Sequence, residues 1–182
     1  RKELYEAWEM ARRIRRLFRG GRVVDLGGGH GVLAMILLVL DDSSPEAVVV
    51  DKAPAPSGVR LLDAVTAAWP RLDGRVTFVA GEMARVGVAE TDLVVSSHAC
   101  GHLTDRVLAL AADAGARVAV LPCCHQHDIS DTGALEGWVD AALAIDIVRA
   151  TRLRARGYRV WTQTIPPAIT PKNRLLLGER AT

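Results

Sequence analysis

The stretch that decides the fold is Val23-Val24-Asp25-Leu26-Gly27-Gly28-Gly29-His30-Gly31, a short apolar run that passes into a glycine cluster. An apolar helical segment at 32–40 follows it. Glycines at such a turn let the backbone approach a ligand closely, and the first turn of the helix offers unpaired N–H groups. Asp51 ends the next apolar run, where an acidic side chain can bind both hydroxyls of a ribose. Together these features predict a site for an adenosine-type cofactor.

Outward from this stretch, short apolar runs alternate with helical patterns, which is typical of an α/β domain with a parallel sheet. Helices are predicted at 3–19, 32–40, 59–69, 104–112 and 134–156. Strands are predicted at 22–26, 48–51, 76–80, 92–97, 117–121, 158–165 and 173–178. The last two strands have no helix between them, so we expect five parallel strands and an antiparallel hairpin at the end.

Composition excludes several classes of protein. Of the 182 residues, 49% are hydrophobic and 24% are charged, which excludes wholesale disorder. The longest apolar run, at 32–40, is far shorter than the roughly 20 residues that a membrane helix needs. Three cysteines, two of them adjacent, do not form the framework of a secreted disulfide-rich domain. We therefore expect a reduced, cytoplasmic protein with no membrane segment.

Residues 1–21 are predicted to form a basic amphipathic helix ahead of a main domain at 22–182. The whole chain has a net charge of only +2, but residues 1–20 hold seven basic and three acidic side chains. The expected apolar face comprises Leu4, Trp8, Ala11, Arg15 and Phe18, with Ile14 and Leu17 beside it. Two arginine-rich surfaces could bind RNA phosphates or could simply be solvated: the other face of this helix, and the string Arg149, Arg152, Arg154, Arg156 and Arg159.

The pattern Asp25-x-Gly27-x-Gly29-x-Gly31 resembles motif I of the class I S-adenosylmethionine-dependent methyltransferases. The resemblance implies a Rossmann-like fold of that class, with a seven-stranded, mostly parallel sheet and a C-terminal antiparallel hairpin. It also implies S-adenosylmethionine as the cofactor. In addition, Gly81-Glu82-Met83 resembles the segment whose acid and following N–H meet the adenine. The expected cofactor-binding residues are Asp25, Gly27, Gly29, Gly31, Asp51, Glu82, Met83 and Ser97.

A nicotinamide site is the competing interpretation of the glycine turn. The fingerprint G-x-G-x-x-G/A fails from Gly27, because Val32 occupies its last position, and fits only from Gly29. That register leaves Asp25 and surplus glycines between the strand and the fingerprint, and it brings a carboxylate close to a pyrophosphate. S-adenosylmethionine is therefore the favoured cofactor, with a ligand-free glycine turn as the third possibility.

All three cysteines and four of the five histidines fall in two clusters, His98-Ala99-Cys100-Gly101-His102 and Cys123-Cys124-His125-Gln126-His127. The carboxyl ends of the fourth and fifth strands should bring the clusters together beside the methyl group. Zinc is one interpretation, but the C-x₂-C spacing of a zinc ribbon is missing and adjacent cysteines seldom both reach one ion. We therefore predict no metal site. The cysteines are expected to be small buried side chains at strand ends, and zinc ligation and a cysteine nucleophile are the alternatives.

The motif Ser97-His98-Ala99-Cys100-Gly101-x-x-Thr104-Asp105, followed by Leu121-Pro122-Cys123-Cys124-His125, resembles one particular branch of methyltransferases. That branch contains the acceptor-stem tRNA ribose-2′-O-methyltransferases and related proteins of uncharacterised substrate. The eukaryotic tRNA enzymes carry cysteine/histidine zinc modules ahead of the catalytic domain, which this sequence lacks. The fold and the cofactor therefore carry over better than the tRNA substrate.

The sequence offers three candidates for catalytic work. His98 is the first candidate for a general base because it follows the fourth strand, and His125 is the second. Asp105 could orient His98 or act as an ordinary acid at the start of a helix. The acceptor is expected to be RNA, slightly favoured, or a small molecule, and a noncatalytic S-adenosylmethionine-binding module is the further alternative. The sequence indicates no oligomeric state.

Overall fold

The computed structural model describes residues 2–181, so Arg1, counted above among the basic residues, and Thr182, the predicted end of the domain, lie outside the described residues. The described residues form five α-helices, two short 3₁₀ helices (Pro70–Leu72 and Met83–Arg85) and seven strands. In chain order the α-helices and strands are α1 (Lys2–Leu17), β1 (Val23–Leu26), α2 (Val32–Leu40), β2 (Ala47–Asp51), α3 (Pro56–Ala68), β3 (Val76–Ala80), β4 (Leu93–Ser96), α4 (His102–Ala114), β5 (Arg117–Val120), α5 (Ala141–Ala155), β6 (Tyr158–Thr164) and β7 (Arg174–Arg180).

All seven strands join one sheet in the order β3-β2-β1-β4-β5-β7-β6. Strands β1 to β5 are parallel, whereas β7 pairs antiparallel with both β5 and β6. The predicted fold class and the antiparallel terminal pair are thus confirmed. The strand order reverses between β1 and β4, and in open α/β sheets ligands bind beyond the carboxyl ends of the strands at such a point.

The core lies in two layers, one on each face of the sheet. Along β1, Val23 packs with α1 and α2, while Val24 and Leu26 pack with α4 on the opposite face. Every residue of β1 and β4 is buried, as expected for central parallel strands that helices cover on both sides. None of the helices within residues 2–181 has the length and apolar character needed to cross a membrane.

Helix α1 buries part of the predicted face, including Arg15, together with residues beside it. Its buried hydrophobic residues are Ala7, Met10, Ala11 and Ile14, followed by Phe18, because this stripe meets α2. Leu4 and Trp8 remain 54% and 41% exposed, so their assignment to the buried face was wrong. Since α1 shares its hydrophobic cluster with α2 and β1, it packs into the main core. The division at residue 21 stays a prediction.

Helix α5 begins later than the predicted residue 134. Asp140 caps it, because its carboxylate accepts a hydrogen bond from the N–H of Leu143 at 3.0 Å. The preceding residues form turns, and Ala134 has a φ of 56°, a left-handed conformation that a helix cannot contain. The sequence of residues 134–140 has a helical pattern, but in the structure this segment is a loop.

Candidate functional site

The glycine turn joins β1 to α2 and crosses over the end of β2. The N–H groups of Gly27 and Gly28 both donate to the carbonyl of Val50, at 2.8 and 3.3 Å. Gly31 begins α2 with a φ of 72°, and a Cβ there would lie 3.0 Å from a methyl carbon of Val49. A Cβ on Gly29, in contrast, would meet no atom within 4 Å. The turn thus requires glycine for its shape, and it faces open space at its centre.

Asp25 lies beneath this turn and is 1% exposed. Neither of its carboxylate oxygens has a hydrogen-bond partner within the described residues. Burial raises the pKa of Asp25 to about 7; the N–H of Ala34 in the first turn of α2, which lies near the carboxylate but outside hydrogen-bonding geometry, opposes the shift. Its carboxylate is so close that a Cβ on Gly28 would lie 2.7 Å from the Asp25 Cγ. The site therefore contains a buried acid that lacks a partner.

Asp51, at the end of β2, is held in a defined orientation. Its Oδ2 accepts a hydrogen bond from the N–H of Gly29 at 3.1 Å, and its Oδ1 accepts one from Ala53 at 3.0 Å. A cavity of about 260 Å³ opens beside it. The lining of this cavity includes Glu3, Ala7, Gly27, Gly28, Gly29, His30, Asp51, Ser97 and His98. Of the predicted site residues, Gly27, Gly29, Asp51, Ser97 and His98 thus lie at one cavity.

Other predicted cofactor residues border this turn without lining the cavity. Met83 is 9% exposed and packs against the turn, where its Cε would lie 3.3 Å from a Cβ on Gly27. Glu82 is half exposed and forms ion pairs with Lys52 at 2.9 Å and with Arg106 at 3.8 Å. The hydrogen bond from Lys52 lowers the pKa of Glu82. The Glu82 carboxylate is therefore ionised and already pairs with two basic side chains.

The loop after β4 is held by two hydroxyls that the sequence reasoning did not single out. The Ser96 hydroxyl donates to the carbonyl of Leu26 at 2.6 Å and accepts the N–H of Ala99 at 3.2 Å. The Thr104 hydroxyl donates to the carbonyl of Ala99 at 2.5 Å. This arrangement buries Ser97 and leaves His98 exposed at the cavity. In the sequence, the feature that could have indicated this role is that Ser96 is a small polar residue at the end of a buried strand.

The two His/Cys clusters are joined to each other, as predicted. The N–H of Gly101 donates to the carbonyl of Cys124 at 3.0 Å, and the Gln126 Oε1 accepts the N–H of His102 at 3.2 Å. The thiols of Cys100, Cys123 and Cys124 all lie within 4.8 Å of one another. Adjacent cysteines seldom both reach one ion, but Cys123 and Cys124 follow the end of β5 and so do not alternate between two faces of a sheet.

The thiols of Cys100 and Cys123 are poor nucleophiles in this arrangement. Partial burial and, to a smaller extent, the neighbouring Cys100 and Cys124 thiols together raise the pKa of Cys123 to about 12. Burial also raises the pKa of Cys100. The thiolate is the reactive form of cysteine and is scarce at neutral pH when the pKa is this high. This weighs against Cys100 or Cys123 as a nucleophile.

His125 does not face the cavity. Its ring is 1% exposed, its Nε2 lies 2.8 Å from Asp146 Oδ1, and its Nδ1 is buried without a partner among the described residues. Burial alone would raise the pKa of Asp146, but hydrogen bonds from His125 and Arg174 outweigh it and lower that pKa. The assignment of His125 as a base needs correction, because a ring shielded in this way cannot touch an acceptor.

Asp105 also has a different partner from the predicted one. Both of its oxygens accept hydrogen bonds from Arg149 at 2.9 Å, and Arg149 donates to the carbonyl of Gly101 as well. Asp105 lies in the first turn of α4, but its carboxylate is committed to Arg149 and does not orient His98. Arg149 is 2% exposed, so its assignment to an RNA-binding string was wrong. Through Arg149, Asp105 thus connects α4 with α5 and with the loop that follows β4.

These features define a class of protein: an α/β domain with a glycine-rich turn and a buried acid at the switch point of its sheet. A family model described as a methyltransferase domain matches residues 2–132, and the chain belongs to that family. S-adenosylmethionine is the cofactor that this family and fold imply, which confirms the predicted cofactor over a dinucleotide. No curated protein matches the chain.

Solved structures share this fold at low identity. An O-methyltransferase family protein from Burkholderia thailandensis is 20% identical, with a TM-score of 0.57 over 89% of this chain and 51% of that chain. The tRNA methyltransferase TrmK of B. subtilis is 15% identical, with a TM-score of 0.61 over 94% and 65%. TrmK of M. capricolum, solved with S-adenosylhomocysteine, is 11% identical, with a TM-score of 0.57 over 93% and 66%. The chain spans about half the length of the O-methyltransferase.

Proposed function

We propose that this domain transfers a methyl group from S-adenosylmethionine to a nucleophilic atom of an acceptor bound at the glycine-turn cavity. The observation that carries the proposal is the buried Asp25 carboxylate, which has no hydrogen-bond partner within the described residues. Leaving such a group unpaired is costly, and a ligand ammonium group would supply its partner. Asp51, already oriented by Gly29 and Ala53, has lone pairs left for two ribose hydroxyls.

Other residues complete the proposed cofactor site. The backbone of Gly27, Gly29 and Gly31 would pass beneath the sugar, because a side chain on this turn would collide or fill the open space. Glu82 and the N–H of Met83 would contact the adenine at the end of β3. Glu82 has one oxygen paired with Lys52, so only part of its carboxylate is available. Ser97 would border the site from β4.

S-adenosylmethionine supplies an electrophilic methyl group, and alignment of the acceptor with it would provide much of the rate enhancement. His98 is the proposed general base, because its exposed ring lines the cavity and forms no hydrogen bond within residues 2–181. It would accept the proton of an acceptor hydroxyl or protonated nitrogen. Asp105 and Arg149 act as positioning residues, because they fix Gly101, three residues after His98.

A small-molecule acceptor has more support than RNA. Glu3 and Ala7 place α1 at the wall of the cavity, where this helix would cover a small substrate. Three arginines of the predicted phosphate-binding string are paired with acids of the chain: the buried Arg149 with Asp105, and the exposed Arg152 and Arg156 with Asp131 and Asp113. Arg159 stacks on Trp161, with 4.7 Å between the guanidinium carbon and the ring centroid. RNA therefore becomes the second candidate.

The proposed function is tested by incubating the protein with methyl-labelled S-adenosylmethionine and either a metabolite extract or total RNA. We expect label in low-molecular-weight products and none in RNA. Label in RNA alone would support methyl transfer but contradict the choice of acceptor. A protein that binds S-adenosylhomocysteine but labels neither fraction would favour the noncatalytic binding module.

A further inference from the structure

The three thiols of the chain form a cluster between the loops that follow β4 and β5. The Sγ atoms of Cys100 and Cys123 are 3.2 Å apart, and that of Cys124 lies within 4.8 Å of both. In a tetrahedral site with zinc–sulfur bonds of about 2.3 Å, neighbouring sulfurs are roughly 3.8 Å apart. The Cys100–Cys123 separation is about 0.6 Å shorter than this spacing and no separation exceeds it by more than about 1 Å, so small side-chain movements would bring all three thiols into the coordination sphere of one ion.

We propose that Cys100, Cys123 and Cys124 bind one Zn²⁺ ion as a three-thiolate site. Thiolates are soft ligands that favour zinc over magnesium or calcium. Binding would form three zinc–sulfur bonds and release three thiol protons to solvent. The site does not depend on the proposed methyl transfer.

The surroundings of the cluster fit a metal site better than the alternative of small buried side chains. Cys100 and Cys124 are exposed, and Cys123 is partly exposed, so none belongs to the hydrophobic core. The backbone bond between Gly101 and Cys124 already fixes the two loops to each other. A disulfide between Cys100 and Cys123 would leave the third thiol unused.

The fourth position of the ion is open in this arrangement. Within residues 2–181 no histidine or carboxylate joins the three thiols in a compact group of ligand atoms. A water molecule, or a donor atom of a bound molecule, would therefore complete the tetrahedron. An open fourth position is typical of zinc sites that bind a substrate, whereas structural sites have four protein ligands.

A zinc titration tests the site directly. The whole protein is reduced, stripped of metal with a chelator, and titrated with Zn²⁺ in competition with a chromophoric chelator. We expect one ion per chain, protection of all three thiols from a thiol reagent, and sulfur-to-metal charge-transfer absorption when Co²⁺ replaces Zn²⁺. Three freely reactive thiols in the presence of Zn²⁺ would overturn the proposal. So would a metal-free Cys100–Cys123 disulfide that persists in protein isolated without reductant.

Single substitutions test the ligand set. Cys100→Ser, Cys123→Ser and Cys124→Ser should each weaken zinc binding on the order of 100-fold, because each removes one thiolate. His127→Ala is the matched control, since this histidine is exposed and lies close in sequence but outside the thiol cluster. Far-ultraviolet circular dichroism checks that each variant is folded. Wild-type affinity in folded Cys124→Ser would contradict a three-thiolate site.

Discussion

The carboxylate of Asp25 is buried under a turn that donates no hydrogen bond to it, and this costs stability when the acid ionises. Its pKa is raised from 3.8 to about 7, so the folded protein holds a proton that the unfolded chain releases at lower pH. The free energy of unfolding of the ligand-free protein should therefore decrease as the pH rises from 3.8 to about 7. A ligand ammonium would favour the ionised form and reverse this penalty.

The first prediction concerns cofactor affinity as a function of pH. Because a protonated Asp25 must lose its proton to face an ammonium group, S-adenosylhomocysteine should bind more tightly as the pH rises toward 7. The increase is at most about tenfold per pH unit, and it should level off above the Asp25 pKa. Calorimetric titrations at several pH values measure it.

Asp25→Asn provides the control for this prediction. The amide cannot ionise, so the variant should bind the ligand weakly and with a shallower pH dependence. It should also unfold at a higher denaturant concentration than the wild type at neutral pH without ligand, because the buried charge is gone. An identical pH profile in both proteins would remove Asp25 from the cofactor site.

The second prediction concerns His98. Once an acceptor is found, His98→Ala should lower kcat by roughly 10²- to 10⁴-fold, the usual contribution of a general base. Its affinity for S-adenosylhomocysteine should remain close to wild type, because the ring is not assigned to cofactor binding. His127→Ala, an exposed histidine outside the cavity, serves as the control. Full activity of His98→Ala would show that another group accepts the proton.

At the scale of elements, α1 is anchored to the end of α2 by a buried ion pair. Arg15 is 5% exposed, lies 3.1 Å from Asp41, and donates to the carbonyl of Leu37 at the end of α2. Burial would raise the pKa of Asp41, but hydrogen bonds from Ser43 and from the N–H of Gly20 outweigh it and lower that pKa to about 2. The stabilisation from Asp41 is therefore present above pH 3.8 and lost as the pH falls through about 2.

The third prediction tests this anchor. Asp41→Asn should lower the free energy of unfolding by about 3 kcal/mol, because it leaves the Arg15 guanidinium buried without its counter-charge. Denaturant titration at neutral pH measures the loss. Glu9→Gln is the control on the same helix, since its pairs with Arg12 and Arg13 are more exposed and should matter by less than about 1 kcal/mol. Equal effects of the two substitutions would contradict the anchor.

Elements with strong local signals were predictable from the sequence. The glycine turn, the acid at the end of β2 and the missing helix between β6 and β7 are all short-range features, and together they fixed the fold class. The start of α5 was not predictable in this way, because the helical pattern of the sequence already begins at residue 134. In the structure the left-handed Ala134 prevents a helix there, and α5 begins only after the Asp140 cap.

At the scale of the whole molecule, the errors come from contacts between residues that are distant in sequence. Arg149 looked like part of a basic string, but its partner Asp105 lies 44 residues away. The three thiols lie close together because of the conformations of the loops after β4 and β5, and the spacing of cysteines in the sequence does not predict those conformations. Periodicity and motifs indicate which residues share a strand end; the pairs that form there depend on three-dimensional packing.

The central claim is that the turn at the switch point of the sheet binds an adenosyl amino acid. The most direct measurement is a calorimetric titration of the intact protein with S-adenosylhomocysteine at neutral pH, paired with thermal unfolding. We expect binding of one ligand per chain and a rise in the unfolding midpoint with ligand concentration. No heat and no shift of the midpoint at saturating ligand would contradict the cofactor site and the methyl transfer built on it.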